Sequence, residues 1–470
     1  MGKSQLVRKI ESIVGKGNAL HRHTDLLVYE YDASLHRGLP DAVAFATSTD
    51  QVSQLVKLAN SLGMPFLPRG SGTNLSGGTV PSHGGIVIEL SRMNRILEID
   101  EKNQRAVVEP GVYNLTLQNA LAPLGYFYAP DPASQRVSTI GGNVGENSGG
   151  PLCLKYGVTT NHVLGMEVVL PDGAVVKMGG KALDQPGYDL TGVFVGSEGT
   201  LGIATKITVR IMRSPDAVKT FLAIYDSVED AGQTVSDIIA QGIIPAALEM
   251  MDRLVIKAVE ESVHAGYPLD AEAVLIIELD GLKDGMDRLA ERVIEICKRN
   301  RVRNMEVAAS EAQREKLWTG RRGAFGAVGR LYPSYLVNDG TVPRAQLPRV
   351  LKKVAEIGRK YNLPIGNVFH AGDGNLHPLI LFDERDKQQL KLVSKASDEI
   401  LQACVDVGGT ISGEHGIGTE KLQAMWLLFG WKDLKAMWMV KRTFDPGNLC
   451  NPHKVLPGIE TVEVSAAHAG

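Results

Sequence analysis

The apolar positions of this chain change their period several times, and each change marks an element. Leu6, Ile10, Ile13 and Val14 recur at helical spacing within residues 4–15 and predict a short amphipathic helix laid on a domain. Charges break that apolar run too often for a secretion signal. Ser48-Thr49-Asp50-Gln51 has the spacing of a capping box, and Val52, Leu55, Val56, Ala59 and Leu62 then line one helical face up to Gly63. Residues 84–111 alternate Ile, Val and Leu with polar positions between glycines and charged turns, which predicts paired strands. A hairpin is expected over 163–180, where Pro171-Asp172-Gly173 separates two apolar runs, and strand continues through 199–212. After Pro215 strands alternate with long helices, as in a ferredoxin-like arrangement within a separate domain.

At 470 residues the chain exceeds what one core usually holds, so the change near Pro215 reads as a domain boundary. A net charge of −3 with no basic stripe argues against a nucleic-acid partner. The four cysteines, Cys153, Cys297, Cys404 and Cys450, are scattered. They form neither a disulfide framework nor an iron–sulfur ligand set, which points to a reducing, cytoplasmic setting. No stretch has the length and apolarity of a transmembrane segment.

Glycine, at 51 residues, exceeds the roughly 7% of ordinary usage. The excess gathers in three segments, Pro68-Arg69-Gly70-Ser71-Gly72-Thr73-Asn74, residues 139–150 and residues 195–203. Backbone N–H groups without an intervening Cβ can cradle phosphate oxygens. The first segment alone is equally a structural turn, and it is neither a Walker loop nor a Rossmann fingerprint. Three such loops in one domain point to an extended phosphate-bearing cofactor lying across them.

RGSGTNLSGG, IGGNVGENSGG, VGSEGTLGI, HAGDGNLH, SGEHGIG and the ending FDPGNLCNPHKVLP follow one another in an order that resembles the FAD-binding vanillyl-alcohol-oxidase superfamily. The resemblance is to the branch holding the glycolate oxidase FAD subunit and D-lactate dehydrogenases, and it covers residues 20–457. It implies an α+β fold in four parts. These are an N-terminal helical segment (1–38), a PCMH-type FAD-binding domain of two subdomains (39–215), a ferredoxin-like substrate or cap domain carrying a metal site (216–430), and a C-terminal segment returning to the FAD domain (431–470). It further implies pyrophosphate held by backbone from Pro68 and Arg69 to Asn74, and ring and ribityl contacts around Pro130, Asp131, Ser138, Gly141, Gly142, Asn143 and Gly145. Adenine-side contacts fall at Glu198, Gly199 and Ile203, with Asn451 in the closing motif. The first loop offers no histidine for a covalent bond, so the FAD is expected to be noncovalent. Gly145 and the NPHK ending, where relatives often carry Ala and NPGK, are small departures.

His370 and His377 bracket Gly372-Asp373-Gly374 between apolar runs, so two strand ends joined by that turn could aim both imidazoles at one point. Two ordinary loop histidines are the alternative on spacing alone. Glu414 would be the third ligand, and imidazole with carboxylate suits Zn²⁺, Mn²⁺ or Fe²⁺ better than Mg²⁺ or Ca²⁺. The resemblance favours the metal set. Neighbouring His415 is the candidate general base for a 2-hydroxy acid's hydroxyl proton, the alternative being that it only orients Glu414. Arg321 aligns by resemblance with the family's substrate-binding arginine, while Arg322 faces solvent; an exposed helix arginine is the alternative. The apolar Ala324, Phe325 and Val337 nearby favour a short monocarboxylate, glycolate or D-lactate, over the D-2-hydroxyglutarate type. A metal-dependent hydrolase and a non-enzymatic scaffold subunit are the competing classes. Without a cysteine cluster the chain needs a partner for electron exit, an iron–sulfur protein or an electron-transfer flavoprotein, which could also tether it to a membrane periphery. A homo-oligomer stays open.

Overall fold

In the computed structural model, which describes residues 3–182 and 186–462, the chain divides into two units. One takes the residues up to Gly149, Gly157–Ser214 and those from Glu414 onward; the other takes Gly150–Tyr156 and Pro215–Gly413. Residues 1–2 and 463–470 of the expected end segments lie outside the described residues. The first unit resumes at Glu414, earlier than the expected return near residue 431. The reason is local: the N–H groups of Ile417 and Gly418 both donate to Glu198, each at 2.7 Å.

Within the first unit, helix Lys3–Val14 buries Leu6, Ile10 and Val14, and helix Thr49–Ser61 is capped by Ser48, whose side chain accepts from the Gln51 N–H. Both cover a four-stranded sheet in the order Ala19–Leu20, Ala42–Phe45, Ile86–Glu89, Phe66–Arg69. The expected pairing of Ile86–Glu89 with the strands that follow it is corrected here. It runs parallel between Ala42–Phe45 and Phe66–Arg69, and all four of its residues are buried, as a strand covered on both faces requires. Ile96–Asp100 and Arg105–Val108 instead open a five-stranded antiparallel sheet with Ile203–Arg210, Val163–Val169 and Val175–Gly179. Its last two strands form the expected hairpin, closed by the Leu170–Ala174 turn. The chain's end adds to the first sheet: Phe66 N–H donates to Leu449 O and Asn451 N–H to Phe66 O.

The second unit is built on strands Ala217–Tyr225, Ala247–Asp252, Ala273–Gly281 and Asn304–Val307, all antiparallel and ordered fourth, first, third, second. That is the ferredoxin-like order, with helix Arg253–Ser262 added between the second and third strands. The sheet extends past Ala247–Asp252 through Ile365–His370, Asn375–Leu376 and Gly340–Thr341. Helices Val228–Ala240, Met286–Arg299, Leu347–Tyr361 and Lys387–Val405 bury their apolar stripes against this sheet's core. Among the described residues no helix is long and apolar enough to cross a membrane.

Candidate active site

The three glycine segments of the first unit converge on one cleft. It is lined by Pro68, Arg69 and Gly70, by Thr139, Gly141, Gly142, Gly145 and Glu146, and by Glu198, Gly199 and Ile203, with Leu90, Pro110 and Phe194 as apolar wall. The second segment, expected as a loop, is a short helix, Ile140–Glu146. Thr139 has extended backbone and its hydroxyl accepts from the Gly142 N–H at 3.1 Å, while Asn147 closes the helix in the left-handed conformation. Close approach explains the neighbouring glycines. A Cβ on Gly70 would collide with that capping hydroxyl, and one on Gly199, at φ +67°, would sit 2.6 Å from Pro68 Cγ.

Glu198 sits at φ +52°, a conformation glycine adopts more readily, and is 5% exposed. Its N–H donates to Gly145 O at 2.8 Å and its carboxylate takes the Ile417 and Gly418 N–H groups. Burial pushes its pKa up to about 7 against those two donors. Glu146, which sequence reasoning passed over, lines the same cleft; burial and then the Glu198 charge push it well above the usual carboxylate range. Its one local mark, a carboxyl inside a glycine-rich run, carries no meaning until its neighbours in space are known.

Other expected cofactor residues act at one remove. Asn451 donates from Nδ2 to Gly78 O at 2.8 Å and Glu198 O at 2.7 Å, tying the third segment to the stretch that follows the first. The Arg69 side chain is occupied with Tyr31 O and Thr79 O, so only its backbone can serve a ligand. Asn74 donates to Glu146, Ser71 to Val137 O, and Pro130 O accepts from Asn114. Asp131, Gly72 and Thr73 are not in the cleft wall. Ser138 Oγ, Asn143 Nδ2, Ser197 Oγ and Glu146 Oε2 are buried without a protein hydrogen bond among the described residues. Glu146 belongs to the cleft wall, and its unpartnered carboxyl oxygen beside glycines that leave the backbone uncovered fits a polar, extended cofactor.

In the second unit His370 ends its strand and pairs across the sheet with Asn375, so the Gly372-Asp373-Gly374 turn does bring the histidines together. Their rings lie edge to face at 5.2 Å, with a nitrogen of each within 4.8 Å of one another. Both are buried, at 5% and 1% exposure. Behind His370 stands Glu249, whose oxygens lie 2.8 and 3.0 Å from Nδ1. Beside His377 stands Asp339, 3.4 Å from Nε2, which also accepts from Ser412 Oγ and the Gly413 N–H. A carboxylate hydrogen-bonded to one ring nitrogen is what orients a ligating histidine, so His370 with Glu249 behind it fits a divalent ion. Glu414 and His415 follow Gly413 directly in the chain, and His415 Nε2 is 4.0 Å from Glu414 Oε1.

Arg321 is no exposed helix arginine: it is 3% exposed, and its Nε donates to Glu249 Oε2 at 2.8 Å. Its Nη2 lies 2.7 Å from the same oxygen, so one carboxylate oxygen holds the Nε and Nη2 edge of the guanidinium. Arg322, by contrast, pairs with Glu315 at the surface. Burial raises the pKa of Glu249, but His370 and Arg321 more than offset this and hold it below the usual range. Ala324 and Val337 are buried, and the Phe325 ring lies 6.4 Å from that of His377.

An FAD binding domain family matches residues 40–179, and the C-terminal domain of the FAD linked oxidases matches residues 214–455. The chain is 45% identical over 451 residues to the glycolate oxidase subunit GlcD of Escherichia coli K12, covering 96% of this chain and 90% of that protein. It is 31% identical over 442 residues to a D-lactate dehydrogenase of Anaerostipes hadrus, covering 92% of each. The fold superposes on p-cresol methylhydroxylase with a TM-score of 0.81 at 18% identity, over 97% of both chains.

Proposed function

Because the chain belongs to the FAD-linked oxidases, we propose that it oxidises a short 2-hydroxy monocarboxylate, glycolate or D-lactate, to the 2-oxo acid. It is an FAD-dependent 2-hydroxy acid dehydrogenase. The observation that carries the substrate reading is the buried Arg321, which shares Glu249 with His370. A cation held beside a histidine pair is what an acid bearing its hydroxyl next to its carboxylate needs.

Bound FAD supplies the two-electron acceptor that takes the Cα hydrogen as hydride. The cleft of the first unit would hold it noncovalently, through the backbone of Pro68–Asn74, the helix that Thr139 caps, and the Glu198–Ile203 turn. A carbinol carbon gives up hydride readily only as its hydroxyl proton leaves, and an alkanol is too weak an acid to release it unaided near pH 7. His415 accepts that proton, since imidazole is the base matched to this range. Arg321 anchors the substrate carboxylate, and the Phe325 ring limits the length of the acid. His370, His377 and Glu414 would hold a Zn²⁺, Mn²⁺ or Fe²⁺ ion, which when bound supplies a Lewis acid for the hydroxyl oxygen. Electrons leave through a separate iron–sulfur or flavoprotein partner. The designation of the Escherichia coli relative as a subunit supports this.

With an electron-accepting dye, glycolate or D-lactate is expected to turn over well above L-lactate and D-2-hydroxyglutarate. Prolonged chelation abolishes that turnover until Mn²⁺ or Zn²⁺ is returned. Preference for the dicarboxylate would defeat the short-acid reading, and indifference to chelator would defeat the metal reading.

A further inference from the structure

Glu249 carries no local signal that would mark it in the sequence. It occupies the middle of Ala247–Asp252, an otherwise apolar, buried strand, directly across the sheet from His370. It is completely buried, at 0% exposure. One carboxylate oxygen takes the Arg321 Nε–H, and both oxygens lie within hydrogen-bonding distance of His370 Nδ1. Three ionisable side chains are therefore joined through one carboxylate in the interior of the second unit.

Stability does not explain this arrangement. Buried ion pairs are often matched or bettered by apolar residues of similar volume, because desolvating the charges costs about as much as their attraction returns. The surrounding strand residues Ala247, Leu248, Met250 and Met251 show that apolar side chains are accommodated here. What the carboxylate does accomplish is geometric. A carboxylate at Nδ1 holds the N–H there and leaves Nε2 as the lone-pair nitrogen, aimed away from the strand. The same carboxylate holds the Nε and Nη2 edge of the Arg321 guanidinium, so the orientation of that side chain is set relative to His370.

We propose that Glu249 is a positioning residue that sets the spacing between the carboxylate anchor Arg321 and the metal ligand His370, and so selects acids whose hydroxyl carbon is bonded directly to the carboxylate. The inference rests on the reading of Arg321 and His370 given under the proposed function. Glu249 itself touches neither substrate nor cofactor; it acts through the two side chains it holds.

The test is a pair of holoenzyme variants, Glu249→Gln and Glu249→Asp, each assayed for Co²⁺ dissociation by chelator competition and for KM and kcat with glycolate and D-lactate. Loss of a carboxylate behind a ligating histidine typically weakens metal binding about 10–100-fold. Glu249→Gln is therefore expected to raise the Co²⁺ dissociation constant by that order and to raise KM more than it lowers kcat, with FAD content unchanged. Glu249→Asp keeps the charge but withdraws it by one methylene, and recovers much of the metal affinity while KM stays elevated. A folded, flavin-replete Glu249→Gln enzyme with unchanged Co²⁺ affinity and KM overturns the proposal. If that variant does not fold, Glu249→Asp decides alone, and wild-type values for both constants overturn it. Wild-type protein that takes up no Co²⁺ defeats the metal reading beneath the proposal, a failure visible before any variant is made.

Discussion

Arg321 illustrates how much burial changes the meaning of a residue. In the sequence it is one of two adjacent arginines on a helix, whereas in the folded chain Arg322 meets Glu315 at the surface and Arg321 is enclosed against Glu249. A hydrogen bond to a charged group contributes about 1.5–3 kcal/mol, so Arg321→Ala is expected to raise KM roughly 10–100-fold. FAD should remain bound, because its cleft lies in the other unit. Unaltered KM in steady-state assays would remove Arg321 as the anchor. Glu198 carries a pH prediction. Its folded-state pKa is raised from 4.5 to about 7, so the folded state holds the proton more tightly than the unfolded chain does. The stability this contributes is complete below about 4.5 and is lost as pH rises through about 7. In the cofactor-free protein the Tm of wild type relative to Glu198→Gln should accordingly fall as pH increases across that window and level off above it. A difference that is flat with pH would show that the carboxyl is not held protonated.

Elements were legible where periodicity and caps agreed. The helix after Ser48, the Pro171-Asp172-Gly173 hairpin and the His370 turn all form where local chemistry demanded them. Two assignments failed for physical reasons that local pattern does not carry. Ile86–Glu89 looked like the first strand of a meander, but which strand it pairs with is decided by helix Thr49–Ser61, which returns the chain to place Phe66–Arg69 beside it. The glycines at 141, 142 and 145 read as loop because glycine disfavours helix, yet the Thr139 cap and the Asn147 terminus close two turns around them. The first and second segments depend on each other through that cap. Gly70→Ala would displace the Thr139 hydroxyl, with loss of the cap costing about 0.5–2 kcal/mol. It is expected to lower both Tm and FAD retention on gel filtration; a variant that keeps wild-type flavin content would separate the cap from the cofactor site.

Taken as a whole, the chain announced its chemistry through motifs more than through its fold. The histidine pair and the three glycine segments stand out by local composition, whereas Arg321 is told from Arg322 in the sequence only by the family resemblance. Glu146 and Glu249 could not be read from sequence, since a single carboxylate in an apolar strand or a glycine run is informative only once its neighbours in space are known. Asp339 was hidden for the same reason, lying 38 positions before His377 in the chain and 3.4 Å from its ring. The two units divide the work: the first presents the flavin cleft, and the second carries Arg321, His370 and His377, handing the chain back just before Glu414 and His415. The most direct check on this division is anaerobic stopped-flow spectroscopy of the purified flavoprotein mixed with glycolate or D-lactate. The flavin band should bleach in a single turnover, with one 2-oxo acid formed per flavin. A flavin that stays oxidised with both acids, in protein replete with FAD and metal, would contradict the account.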